Sequence, residues 1–245
     1  MRKYILITLL LILPEFTILA SDILKEQDFN VIGIQFEVKP EIYITEQIFF
    51  KSVEKRIAEA EKSEAKPDLI IFPEYIGVFY QLIDYNNTIF RHNNFATALT
   101  DILTKNPEMT SLKDIFACSN KVSSYLENWA ELAKKYNTAI IAGSCFTKTQ
   151  DGEIKNTTFV FNKEGKLIYK QNKVFLTDFE KSIIQLSPGN LSDCSFFNIN
   201  DHKIAITICR DTYSTEWENK SNGAFLWIDI KANGEVFDNY QRESF

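Results

Sequence analysis

Ile204-Ala205-Ile206-Thr207-Ile208-Cys209-Arg210-Asp211 is the stretch on which the reading of this chain turns. β-Branched and apolar residues fill its first five positions, and a thiol and a charged pair follow at once. Such a run reads as a buried strand. Its last residue lies where a sheet hands over to a loop, the place where scaffolds present reactive groups. Alone, Cys209 is an ordinary core thiol, since unpaired cysteine is among the most buried residue types. Two further stretches change that. Leu69-Ile70-Ile71-Phe72-Pro73-Glu74 is a second buried-type strand, ending in a carboxylate. Lys173-Val174-Phe175-Leu176-Thr177-Asp178-Phe179-Glu180 follows a third strand and opens on a lysine.

A glutamate, a lysine and a cysteine at three strand ends are the groups needed for acyl transfer through a thioester. A poor electrophile such as an amide carbonyl requires an activated nucleophile, a stabilised oxyanion and a protonated leaving nitrogen. A free thiol titrates near about 8.5, so Cys209 needs a neighbour to take its proton or a cation to favour its anion. Glu74 suits the base role and Lys173 the fixed positive charge. Singly, each has a bland reading: Glu74 as a surface carboxylate after a strand, Lys173 as a solvated loop lysine with Lys170 as a rival three residues earlier.

In order and spacing, these motifs resemble the nitrilase (carbon–nitrogen hydrolase) superfamily, with a strand ending in F-P-E, a K-x-H-L-type segment and a strand ending in I-C-x-D. The resemblance runs from about Asn30 to the C-terminus. It implies an α/β fold, a four-layer α-β-β-α sandwich often paired into dimers through one helical face. It also implies a cofactor-free hydrolase that cleaves a non-peptide carbon–nitrogen bond in a small-molecule amide. Lys173 is preferred to Lys170 because the resemblance places a lysine–any–aromatic–leucine pattern there. Glu180 matches a second family carboxylate, which orients the lysine and the attacking water. Phe175 stands where the family has a histidine, and Arg210 where it has an aromatic residue. The second departure sets a cation beside the pocket, where its backbone N–H is an oxyanion donor candidate and its side chain a binder for an anionic substrate. Within the superfamily an amidase is expected ahead of a nitrilase. The alternatives are an N-acyltransferase of the kind that carries several membrane spans ahead of this domain, and a truncated, non-catalytic member acting as a binding protein.

Composition bounds the rest. At 245 residues and 45% hydrophobic content the chain can bury a full core as one domain. A net charge of −6 argues against nucleic acid or an anionic membrane surface as partner. With 20 Phe and 10 Tyr against only 8 Gly, it is no low-complexity chain. Residues 1–20 read as a secretory signal peptide: Arg2 and Lys3, an apolar run from Ile5 to Leu13, and a small residue, Ala20, at the cleavage point. Pro14 and Glu15 interrupt the apolar run, which falls short of the roughly 20 residues of a membrane span. Export is therefore expected, with the hydrolase domain over 27–245. His92 and His202 lie outside the motifs, and Cys118, Cys145 and Cys194 lack metal-ligand spacing, so neither a Cys–His dyad nor a metal site is indicated. After export, one pair of those three cysteines could form a disulfide.

Along the chain, Asn30 to Phe36 reads as the first strand and Thr45 to Glu64 as a helix, on the three- and four-residue recurrence of Phe49, Val53, Ile57 and Ala60. Strand, helix, strand predicts a right-handed crossover between neighbouring parallel strands. Gly77 to Val122 predicts short helices around the pocket mouth. Ser124 to Glu127 reads as a capping box, with Tyr125, Trp129, Leu132 and Tyr136 as one helix stripe. Thr138 to Ala142 is a strand; Thr157 to Phe161 and Leu167 to Tyr169 flank a hairpin turn closed by Gly165. Glu216 to Asn222 is helical and Phe225 to Ile230 is the last strand. The ending at Asp238 to Phe245 predicts missing closing elements and an uncovered edge at that last strand.

Overall fold

The computed structural model describes residues 28–232. The expected signal peptide at 1–20 and the final stretch from Asp238 to Phe245 lie outside the described residues. The chain divides into a leading unit ending at Asn30 and a body that begins at Val31; the fold below is that of the body.

Its larger sheet has five strands in sequence order: β1 (Val31–Gly33), β2 (Leu69–Ile71), β3 (Ala139–Lys148), β4 (Ile154–Phe161) and β5 (Leu167–Asn172). β1, β2 and β3 run parallel, and β4 and β5 are antiparallel hairpin additions. The expected βαβ unit is thus present, with helix α1 (Glu46–Ala60) between the paired β1 and β2. Thr45 caps α1 by accepting the Ile48 N–H at 3.2 Å, which explains why the helix starts one residue after the expected boundary. The first strand is shorter than Asn30–Phe36, because past Gly33 only the Ile34 N–H still reaches Ile71 O.

β2, β3 and β4 are rich in β-branched and aromatic residues because both faces of the sheet are covered. On one face, Phe49, Val53 and Ile57 of α1 meet Ile70, Phe72, Ile140, Phe159 and Phe161. Tyr125, Trp129, Leu132 and Ala133 of a long helix at Lys121–Tyr136 complete that layer. The Trp129 ring stands edge-on to Phe72 at 4.7 Å. On the other face, Leu69, Ile141 and Val160 are fully buried.

Between Glu74 and that helix come four short helices: α2 (Ile76–Gln81), α3 (Asn86–Ile89), α4 (Phe95–Lys105) and α5 (Leu112–Ala117), as the polar composition of Gly77–Val122 predicts. The long helix is α6. Its start corrects the expected capping box: α6 begins at Lys121 after Asn120, and Ser124 lies inside it, donating to Glu46 Oε2 at 2.8 Å. The capping box belongs instead to Ser111 and Asp114 of α5.

A second sheet holds β6 (Phe197–Ile199), β7 (His202–Ile208) and β8 (Leu226–Ile230), with β7 central, antiparallel to β6 and parallel to β8. Helix α7 (Thr215–Ser221) connects β7 to β8. The sheets touch where Gln171 of β5 donates to Ile206 O of β7 at 2.9 Å and the Tyr169 and Phe197 rings stack at 4.9 Å. Among the described residues β8 has one pairing partner, β7, and Phe225 beside it is 54% exposed.

Candidate active site

The three motif strands end at the same place. β2 runs through Phe72 and Pro73 to Glu74; β5 ends at Asn172, directly before Lys173; and β7 ends at Ile208, directly before Cys209. Ligand sites of α/β sheets form outside the carboxyl ends of parallel strands.

Glu74, Lys173 and Glu180 are all buried and joined. Lys173 Nζ lies 2.8 Å from Glu74 Oε1 and 2.8 Å from Glu180 Oε2. Lys170 is exposed, pointing away on the preceding strand. The Lys173 backbone N–H donates to Asn156 O at 2.8 Å, which extends the β4–β5 ladder up to the lysine. Glu180 sits in a π-helical turn, Phe179–Ile184, a form that recurs at functional sites. Its Oε2 also accepts the Thr177 N–H at 2.8 Å and the Thr177 hydroxyl at 3.0 Å.

Cys209 is not the end of its strand but the first residue of a 3-10 turn, Cys209–Tyr213, with φ at +53°. A side chain in the left-handed region is strained, and such strain collects at functional positions. The turn is held by Asp211, which is fully buried: Oδ1 accepts the N–H groups of Val174 at 3.0 Å and Phe175 at 2.7 Å, and Oδ2 that of Ile208 at 3.3 Å. One carboxylate therefore ties the lysine loop to the cysteine turn.

The two glutamates are driven apart electrostatically. Burial raises the Glu74 carboxyl above the ordinary range despite Lys173 beside it. Glu180 is lowered: burial opposes its charge, but Lys173, the Thr177 N–H and Asn156 together outweigh it. Unequal environments of this kind separate a proton carrier from a fixed carboxylate. Burial, with the nearby Glu74 charge next, pushes the Cys209 thiol up to about 12. The lysine is raised to about 12 because the two carboxylates outweigh its burial.

Other sequence candidates fall elsewhere. Arg210 has an outward side chain, 51% exposed, with Asp178 at 3.9 Å. Phe175 takes part through its backbone N–H. All four cysteines are free thiols, and Cys145 is sealed under α2 beside Gly77. His92 pairs with Asp101 at 3.0 Å, and His202 packs on the Phe225 ring. Among the described residues no group of His, Cys, Asp and Glu could hold a metal, and no helix is long and apolar enough to cross a membrane. A cavity of about 340 Å³ lined by Lys66, Asp68, Asn137, Asn162 and Asn200 lies at the opposite strand ends and contains none of the motif residues.

Three site residues escaped the sequence. Asn156 Nδ2 donates to Glu74 Oε1 at 3.0 Å and to Glu180 Oε1 at 2.9 Å. Tyr75, left-handed at φ +66°, lays its ring 5.9 Å from Lys173 Nζ. Asp211 stood in view two residues after Cys209 but had no role assigned. Nothing in their immediate sequence marks Asn156 or Tyr75 as polar partners of an ion pair.

A carbon-nitrogen hydrolase family model matches residues 38–224. A probable hydrolase, YhcX, of Bacillus subtilis (strain 168) is 30% identical over 178 residues, covering 73% of this chain and 29% of that protein. The chain spans about a third of the length of the curated relatives it matches. Among solved structures, a carbon-nitrogen hydrolase from Helicobacter pylori G27 superposes with a TM-score of 0.61 at 17% identity, over 88% of this chain and 64% of that one. An amidase from Nesterenkonia sp. AN1, in a mutant form with acrylamide added at its active site cysteine, gives 0.59 at 15% identity, over 86% and 70%. At these identities the structural likeness is one of fold.

Proposed function

The chain belongs to the carbon–nitrogen hydrolase family, and on that premise we propose that it hydrolyses a non-peptide amide through a thioester on Cys209, with Glu74 carrying the proton and Lys173 facing the oxyanion. The observation that carries this reading is the buried Glu74–Lys173–Glu180 ion cluster with its two 2.8 Å contacts, beside a left-handed cysteine close enough to feel the Glu74 charge.

Because the thiol is held protonated, no free thiolate waits in the site. Sulfur attacks the amide carbon as its proton passes to Glu74, whose raised carboxyl accepts it readily. Glu74 Oε1 accepts from Lys173 and Asn156, whereas Oε2 accepts only a 3.3 Å bond from the Ala232 N–H, and we assign the less engaged Oε2 to the thiol proton. An ammonium has three N–H donors; two of the Lys173 set go to carboxylates, and the third supports the carbonyl oxygen as it becomes negative. The C–N bond breaks as the amine takes the proton from Glu74. Water then gives a proton to Glu74 while its oxygen attacks the thioester. Collapse releases the acid, and the sulfur recovers the proton. Glu180 keeps Lys173 charged and oriented throughout. The signal-like residues 1–20 support export as the setting.

The test is intact-protein mass spectrometry with a panel of small amides. An acyl adduct on the wild type that is absent from Cys209→Ala is expected, together with loss of turnover and an unchanged fold. Undiminished hydrolysis by Cys209→Ala would sink the mechanism.

A further inference from the structure

Asn156 is fully buried, and its side chain is unevenly used. Its amide N–H₂ gives one hydrogen to each carboxylate of the cluster, at 3.0 and 2.9 Å, while its Oδ1 is buried with no hydrogen-bond partner. An orphaned buried acceptor costs about 1–3 kcal/mol. A residue kept only for packing would not retain one. The side chain is there for its two N–H donors, which no other uncharged residue of that size supplies from a single nitrogen.

The consequence is a division of oxygens. Lys173 and Asn156 both donate to Glu74 Oε1, which leaves Oε2 with the Ala232 N–H at 3.3 Å. On Glu180, Asn156 takes Oε1, and Lys173 and Thr177 take Oε2. Both carboxylates are thereby fixed about one lysine with no added positive charge. A second cation there would compete with Lys173 and hold Glu74 too firmly ionised to accept a proton.

We propose that Asn156 is a positioning residue of the catalytic cluster: its amide fixes Glu74 Oε1, presents Oε2 to Cys209, and supports the ionised form of Glu74 without adding charge. This rests on the reading of Glu74 as proton carrier. The charged and titratable groups facing this pair are Lys173, Tyr75 and Cys209; Asp211 reaches Lys173, and Asp229 reaches Cys209.

Alkylation by iodoacetamide tests it without any amide substrate. Sulfur bonds to the reagent carbon, iodide leaves, and the thiol proton passes to Glu74, so the rate at Cys209 follows the ionisation of Glu74. The rate is read by peptide mass spectrometry across the acidic to neutral range, with thermal melts as a control on folding. In the wild type a carboxylate inflection is expected, absent in Glu74→Gln. Asn156→Ala, which removes two donors to carboxylates, should move it up by about one pH unit, a tenfold slower labelling at pH values below it. Asn156→Asp keeps the volume but adds a carboxyl, and should move it further. An inflection unmoved in both variants overturns the role of Asn156 while leaving Glu74 in place. If neither variant folds, Asn156 is a folding residue and the proposal falls. A wild-type profile without the inflection overturns the Glu74 reading itself, and this inference with it.

Discussion

At the scale of single residues, two features of the site carry a cost the sequence does not advertise. Cys209 holds φ at +53°, which disfavours any residue with a Cβ by roughly 1–2 kcal/mol. Cys209→Ala and Cys209→Gly both lose the thiol, yet only glycine relaxes that angle. Urea unfolding should therefore rank Cys209→Gly about 1 kcal/mol above Cys209→Ala, the reverse of the usual order. Lys173 is the second case. It pairs with two buried carboxylates at once, so Lys173→Met removes the counter-charge they share and should cost about 3–5 kcal/mol as well as turnover. The same change at exposed Lys170 should stay within about 0.5 kcal/mol and keep activity. The acid dependence follows from Glu180. Its carboxyl is lowered in the folded protein, so the unfolded chain binds the proton more tightly. The stabilisation it provides is present above the ordinary glutamate range and fades as pH falls through the lowered value. Melts recorded from neutral to strongly acidic pH should show a decline that Glu180→Gln makes shallower.

At the scale of elements, the route of β3 past the Glu74 loop depends on Gly143. The ladder between β3 and β4 shifts register between Ile141 and Ser144, and Gly143 takes φ +65° there. A Cβ at that position would stand 2.2 Å from Pro73 O, which is backbone and cannot swing away. The bulge also delivers Ser144 Oγ to the Tyr75 N–H at 3.0 Å, pinning the residue after Glu74. Gly143→Ala should cost more than about 2 kcal/mol in denaturant melts, from the strained angle and the displaced loop together. A fall in Cys209 alkylation rate should accompany it, since Glu74 moves with Pro73.

At the scale of the whole molecule, the site draws on both sheets: Glu74, Asn156 and Lys173 extend from the larger one, and Cys209 and Asp211 from the smaller. The Asp211 bonds to Val174 and Phe175 and the Gln171 bond to Ile206 cross between them. The two sheets should accordingly unfold as one unit. In urea, loss of the Glu74-dependent reactivity of Cys209 and first exposure of Cys145, buried under α2, should share a midpoint. Two separate midpoints would show that the smaller sheet opens on its own.

What the sequence determined is the part written in local pattern. Apolar runs leading to Glu74 and Cys209 specify buried strands whose ends carry the candidate site residues, because a strand with both faces covered must be apolar throughout. The 3.6-residue stripes of Phe49, Val53 and Ile57 and of Tyr125, Trp129 and Leu132 specify the two long helices for the same reason. The false capping box shows the limit: Ser124 and Glu127 have the right spacing, but Ser124 is drawn into α6 by Glu46, which is distant in sequence. Asn156 and Tyr75 could be found only in three dimensions, and so could the role of Asp211, whose place in the motif was visible but whose partners were not. Their chemistry is that of hydrogen bonds to groups tens of residues away, and the cost of leaving a buried carboxylate unpaired is decided by whatever the fold brings beside it.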